Sequence, residues 1–400
     1  MTATEPATVP THLDVEADVS TLFTWSYEQT KPALTKLYEK GKVSQWNATT
    51  DIDWAPEVVF GEMDPDVPAE ERAMIDGFMG FDSPDSPFHG MTDEQRSAMG
   101  WEFQSWMVSQ FMHGEQGALV ATARLVETVP DIDAKYYAAN QVADEARHVE
   151  AYARYINTKL GAEHGYEISS PLSALLVDIM TEKRWDITYL GMQIMVEGLA
   201  LAAFGMGNVL FRDPVIKQIT DYVMRDEARH VAFGVLSLQE FIPELTAAEL
   251  ADREEFLLEA IDLMHQRFLL EQVWERVGVD VAKGTEFARS NPLMIIFRQM
   301  LFSKIVPNIN KLGLMNAGRP PALRRPAGAA VGARHRLGHR GAHHRGAHHR
   351  RRAGLTHRGT DRPPDGPPTA VRRRQHPRPG RPLVVALRRP SLRAETRRLP

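Results

Sequence analysis

The chain has 400 residues and no cysteine, which excludes disulfides and thiolate chemistry and fits a reducing, cytoplasmic setting. Its net charge of −5 is divided unevenly: residues 318–400 hold 22 Arg, no Lys and three acids, a net of +19, so residues 1–317 carry −24. The first residues lack the basic start and apolar core of a secretory signal, and no run reaches 18 apolar residues, so neither export nor a membrane span is expected.

Residues 1–15 are expected to be loose. From Val15 to Gly41 the apolar spacing is helical, with Pro32 as an expected interruption. "SQWNATTDIDWAPEV" reads as an ordered loop, rich in turn residues and aromatics. "DSPDSPFHGMTDEQ" is a break, in which Thr92 and Gln95 stand at capping-box spacing. Residues 1–92 thus read as a helical and loop extension. Four long helical stretches follow, at about 93–128, 131–160, 171–207 and 213–241, the last started by Asp213-Pro214. They define a core domain over 93–241. "GLALAAFGMGNVLF", within the third stretch, is short and glycine-rich and reads as a helix buried in a protein core. Residues 242–317 add further helices, one spanning "TAAELADREEFLLEAIDLMHQRFLLEQVWERVG" and another at roughly 285–313. No segment reads as a strand, so the expected class is all-α.

The tail over 318–400 contains no Phe, Tyr, Trp, Ile, Met or Lys. Such a composition cannot bury enough apolar surface to offset chain entropy, so disorder is expected. Arg, Pro, Gly, Ala and His without Lys, Ile or Phe is what a GC-rich gene gives when translated out of frame. We read the tail so, and expect no nucleic-acid partner from its arginines.

Within the core domain one pentapeptide, DEARH, occurs twice, at Asp144–His148 and Asp226–His230. In each copy a Glu and a His stand three apart, Glu145 with His148 and Glu227 with His230, and so share a helix face. Thirty residues before each of those glutamates another stands in apolar sequence: Glu115 in "FMHGEQGALVA" and Glu197 in "QIMVEGLALAAF". Each element of the first set recurs 82 residues later. The chain therefore reads as two copies of a helix pair. A buried ionised carboxylate must be paired or must coordinate metal. Four carboxylates balance two divalent ions, and mixed O/N ligation without thiolate suits iron or manganese. A Glu from each of two helices plus Glu-x-x-His from each of two others is the ferritin-like di-metal pattern, a general rule applied here to Glu115, Glu145, His148, Glu197, Glu227 and His230. Asp144 and Asp226 are placed to accept the free N–H of a histidine from the opposite copy, with Arg147 and Arg229 as their partners. His113, two residues from Glu115, should point away from the metals.

Residues of about 15–315 resemble ferritin-like di-iron proteins of the ribonucleotide-reductase-like superfamily, and among these the p-aminobenzoate N-oxygenase-like oxygenases. The resemblance rests on Glu115, Glu197 and the two DEARH copies. It implies two Fe ions, or an Mn/Fe pair, O2 activation, an external electron donor such as a ferredoxin or reductase, and a homodimer. The N-oxygenases carry a further histidine ligand one turn before the last Glu, where this chain has Val223. Tyr152, four residues after His148, stands at the spacing of the radical tyrosine of ribonucleotide reductase small subunits; its counterpart in the second repeat is Gly234. The expected function is a di-iron oxygenase that hydroxylates or N-oxygenates a small organic substrate. The alternatives are an acyl desaturase, a radical-generating or Mn/Fe reductase-like subunit, and a non-enzymatic metal-handling protein.

Overall fold

A computed structural model describes residues 15–62, 68–81, 83–84 and 86–315, and the statements below concern those residues. The expectations for the first 14 residues and for the 318–400 tail lie outside them. Thirteen α-helices and no strand occur among the described residues.

The first helix, α1 (Pro32–Val43), begins where the sequence suggested an interruption. Proline at the first helical position lacks only an N–H that would be unpaired there anyway. Residues 15–31 are not helical; Asp133 holds their end by accepting from the backbone N–H groups of Thr30 and Lys31 at 2.9 and 3.1 Å. The loop after α1 is ordered and buries Trp46. Helix α2 (Ala69–Met79) was not evident from the sequence; Gly80 closes it at φ 68°, a conformation that glycine adopts without strain.

Helix α3 (Asp93–Thr128) starts in a complete capping box between Thr92 and Gln95. Helix α4 (Ile132–Tyr155) is capped by Asp131 and runs into a π-helical turn, Ile156–Gly161. Helix α8 (Pro214–Leu238) is capped by Asp213, which accepts from the N–H groups of Val215 and Ile216. Asp131 and Asp213 are themselves 82 residues apart, so the repeat includes the caps.

The third stretch is not one helix. It divides into α5 (Ser170–Thr181), a corner, α6 (Trp185–Tyr189), a π-helical segment Leu190–Val196, and α7 (Glu197–Leu210). At the corner Glu182 Oε1 accepts from the N–H groups of Lys183 and Arg184, offering the backbone an alternative to the helix. The run Trp185–Leu210 is long and apolar enough to cross a membrane, but 89% of its apolar window is buried within the protein.

The long element after Thr246 also divides. Helix α9 (Ala247–Arg267) opens in a capping box between Thr246 and Glu249 and stops before Leu270, at φ 61°; α10 (Glu271–Arg276) follows. The remainder is three short helices, α11 (Val281–Ser290), α12 (Pro292–Ser303) and α13 (Val306–Lys311). Asn291 ends α11 and caps α12.

Helix α3 packs along α4, α7 along α8, and α4 against α8, which gives the four-helix core. Helix α1 lies on α4 and α8, α5 lies between α3 and α9, and α12 covers α7. At Gly117 a Cβ would meet Leu176 at 2.5 Å, so glycine permits α5 to approach α3. The architecture is a ferritin-like bundle with additional helices packed around it.

Candidate metal centre

Each core helix delivers its acidic or imidazole side chain to the same interior. Helix α3 supplies Glu115, α4 supplies Glu145 and His148, the first residue of α7 is Glu197, and α8 supplies Glu227 and His230. All six are buried, at 5% exposure or less. They form two overlapping sets. Glu115, Glu145, His148 and Glu227 make one, and Glu145, Glu197 and His230 make the other; within each, ligand atoms lie within 4.8 Å of one another. Glu145 belongs to both, as a bridging carboxylate would.

The imidazoles face inward through Nδ1. His148 Nδ1 is 3.1 Å from Glu115 and 3.3 Å from Glu145, and His230 Nδ1 is 3.1 Å from Glu145. Outward, the two DEARH copies cross: His148 Nε2 meets Asp226 at 3.1 Å, and His230 Nε2 meets Asp144 at 3.3 Å. Arg147 bonds Asp144 at 2.6 Å and Asp226 at 3.0 Å. Arg229 bonds Asp226 at 2.5 Å. The Asp–Arg pairs thus hold both imidazoles in one orientation and bring the repeats together.

Burial would raise Asp144 and Asp226, but the facing histidines and the arginines override it and hold both carboxyls below their usual range. Burial would likewise raise Glu145, yet His230 and His148 keep it well below that range. Glu115 and Glu197 are raised well above theirs, by burial and then by repulsion from Glu227. His148 and His230 are lifted far above an ordinary imidazole against the effect of burial, mainly by Glu115 and Glu145 respectively. The metal-free centre is thus short of cations.

Glu197 Oε2 and Glu227 Oε2 have neither a hydrogen bond nor an ion pair, and Glu145 Oε2, Glu227 Oε1 and His230 Nδ1 make ion-pair contacts of 3.1–3.4 Å without an aligned hydrogen bond. Unpaired carboxylate oxygens in a sealed interior carry a heavy desolvation cost. Two divalent cations would satisfy these atoms and the charge together, and the O/N donor set suits iron or manganese. The residues present fit a di-metal centre.

Three residues that the sequence reading passed over bond to the centre, and a fourth, Gln193, stands four residues before Glu197. Trp46 donates Nε1–H to Asp226 at 2.8 Å and stacks near His148. Gln45 donates to Asp144 at 2.8 Å. Both stand in the loop after α1, far away in sequence, and no local pattern marks them. Gln141, one turn before Glu145, donates to Glu145 at 3.0 Å and Glu197 at 2.7 Å. Its four-residue spacing from Glu145 was the available signal. Gln193, in the π-helical segment, is sealed, with Oε1 unpaired.

The two halves are unequal around the metals. Tyr152 is fully buried, its ring 6.0 Å from Phe111 and 6.4 Å from Phe204. The positions related by the 82-residue offset are Gly234, Gln193 and Thr122. There a Cβ on Gly234 would lie 2.6 Å from Gln193 Cβ, and Gln193 Nε2 approaches Thr122 at 3.4 Å. An aromatic trio on one side thus corresponds to a close helix contact on the other. Val223, related by the same offset to Gln141, is buried and offers no ligand atom. His113 faces outward, with Nε2 2.9 Å from the carbonyl of Tyr166.

No family model matches the sequence, and no curated protein matches it. Solved structures do. They include an R2-like ligand-binding oxidase variant with anaerobically reconstituted Mn/Fe cofactor, 20% identical, spanning 72% of this chain and 95% of that one, with a TM-score of 0.42. The same oxidase with an aerobically reconstituted metal cofactor after photoconversion is 19% identical over the same shares, with a TM-score of 0.42. The identity and the TM-score are too low to carry function across, so the functional reading rests on the side chains.

Proposed function

We propose that this chain is a non-haem di-metal oxidoreductase that activates O2 and oxygenates a small organic substrate, by hydroxylation or N-oxygenation. The observation that carries this reading is the pair of overlapping buried ligand sets sharing Glu145. Glu115, Glu145, His148 and Glu227 hold one metal, and Glu145, Glu197 and His230 the other. Two iron ions, or manganese with iron, supply the redox chemistry between O2 and substrate when bound. Asp226 and Asp144 fix the tautomers of His148 and His230, so that Nδ1 presents its lone pair inward. Gln141 keeps Glu197 and Glu145 in register, and the surrounding core excludes water. An external donor such as a ferredoxin or reductase supplies electrons, and we place the protein in the cytoplasm as a homodimer.

A storage role is disfavoured, because the chain spends its ligands on one sealed pair of positions. The acyl desaturase reading shares this metal chemistry and differs in substrate. A radical-generating role has one observation in its favour: Tyr152 is sealed beside Glu115 and His148.

The test is anaerobic loading with Fe2+, elemental analysis, and then O2 uptake with transient visible absorption. About two irons per chain and O2 uptake raised by a substrate are expected. A folded chain that binds no iron would remove the reading.

A further inference from the structure

Gln141 is fully buried on α4, four residues and one turn before Glu145, and so shares its face. Its Nε2 reaches Glu197 Oε1 at 2.7 Å and Glu145 Oε1 at 3.0 Å. That Glu145 oxygen is the one that lies 3.1 Å from His230 Nδ1. The end of the amide therefore stands against the ligand set of Glu145, Glu197 and His230, which has one residue fewer than the set around His148. Its other atom, Oε1, is sealed and has no hydrogen-bond partner. The residue related by the 82-residue offset is Val223, equally buried and without a donor atom. Of the two related positions, only the first carries an amide.

The amide suits a bound ion in spacing and in charge. Around a hard cation with metal–oxygen bonds of about 2.1 Å, neighbouring donor atoms stand roughly 3 Å apart. The spacings of 2.7 and 3.0 Å between the amide end and the two carboxylate oxygens are of that size. An amide offers either nitrogen or oxygen to the same point by half a turn about its last side-chain bond. Without metal the nitrogen faces the carboxylates, because they are acceptors. A divalent ion held by those carboxylates repels the N–H edge and attracts the carbonyl oxygen. One end of the amide is unpaired in either orientation, so the half-turn leaves no additional group unsatisfied.

We propose that Gln141 Oε1 is a ligand of the metal held by Glu145, Glu197 and His230, and that this seventh side chain makes the two metal positions unequal. The inference rests on the di-metal reading. Iron and manganese both accept oxygen donors beside imidazole. A neutral amide adds a donor without adding charge to a centre that already has four carboxylates.

The test uses the full chain loaded with Co2+, whose visible absorption strengthens as its coordination number falls. Wild type, Gln141→Leu and Gln141→Glu are titrated with cobalt, and their helix content is compared. Wild type should bind about two cobalt ions per chain. Gln141→Leu, in which an apolar side chain fills the space, should bind the second ion at least about tenfold more weakly. At saturation it should absorb more strongly per cobalt. Gln141→Glu restores an oxygen donor and should return both affinity and spectrum to wild type. A hydrogen-bonding role alone gives the opposite in that variant, because a carboxylate cannot donate to Glu145 and Glu197. A Gln141→Leu spectrum per cobalt equal to that of wild type overturns the proposal and leaves the di-metal reading standing. So does a Gln141→Glu affinity about tenfold or more below wild type, which decides alone if Gln141→Leu does not fold. A folded wild type that takes up no cobalt removes both.

Discussion

His148, in the first DEARH copy, hydrogen-bonds Asp226 in the second at 3.1 Å, and Trp46 donates to the same Asp226 oxygen at 2.8 Å. The duplicated motif therefore works across the bundle: each copy supports the imidazole of the other. Replacing Asp226 by Asn keeps the shape and removes the charge that orients His148. Metal affinity should fall about 10- to 100-fold, read by competition with a chelator, while helix content stays unchanged. Wild-type affinity in Asp226→Asn would show that the crossed contact does not tune the metal.

Glu145 is the shared member of the two ligand sets. Glu145→Ala should remove both metals, whereas Glu197→Ala should leave about one per chain. Elemental analysis after gel filtration distinguishes them. Equal stoichiometry in the two variants would contradict a bridging role.

The protonation pattern gives a pH prediction with a definite sign. Glu115, Glu197, His148 and His230 all titrate above their ordinary values in the metal-free fold, so the native state binds more protons than the unfolded chain. Their stabilisation of the metal-free protein is present in acid. That of the carboxyls is lost as pH rises above 4.5, and that of the imidazoles above 6.5, through the raised folded values. Asp144, Asp226 and Glu145 act oppositely, losing their contribution as pH falls through their depressed values. Between pH 6 and 8, roughly, the metal-free midpoint should decline with pH, and binding of a divalent ion should release protons and reverse the decline. Paired melting curves with and without metal test this; a metal-free midpoint that rises across the interval refutes it.

The sealed hydroxyl of Tyr152 has the equally sealed hydroxyl of Thr220 as its hydrogen-bonding neighbour, without an aligned bond. Tyr152→Phe should cost under about 1 kcal/mol and leave metal stoichiometry and O2 uptake intact. A tyrosyl EPR signal in wild type that disappears in this variant would move the function to radical generation.

Gly234 is where α8 meets the π-helical segment before Glu197. The Cβ of Gly234→Ala would lie 2.6 Å from Gln193 Cβ, so the helices must separate. We expect a loss of about 1–3 kcal/mol and a weaker hold on the metal near Glu197. Urea denaturation and metal titration report the two effects separately.

The sequence by itself determined the helical class, the repeat and the six converging side chains. These follow from periodicity, from capping residues such as Thr92, Asp131 and Asp213, and from the bare fact that a glutamate in apolar helix must find a partner. Tertiary structure decided the rest. The corner at Glu182 and the turn at Leu270 broke two continuous helical patterns, because their causes are side-chain bonds to backbone and the packing of α5 and α10. Gln45 and Trp46 lie about a hundred residues or more from Asp144 and Asp226, beyond the reach of any local pattern. Periodicity records which face of a helix is buried. It holds no record of what another helix brings to that face, and that contact sets the charge, orientation and accessibility of each buried group.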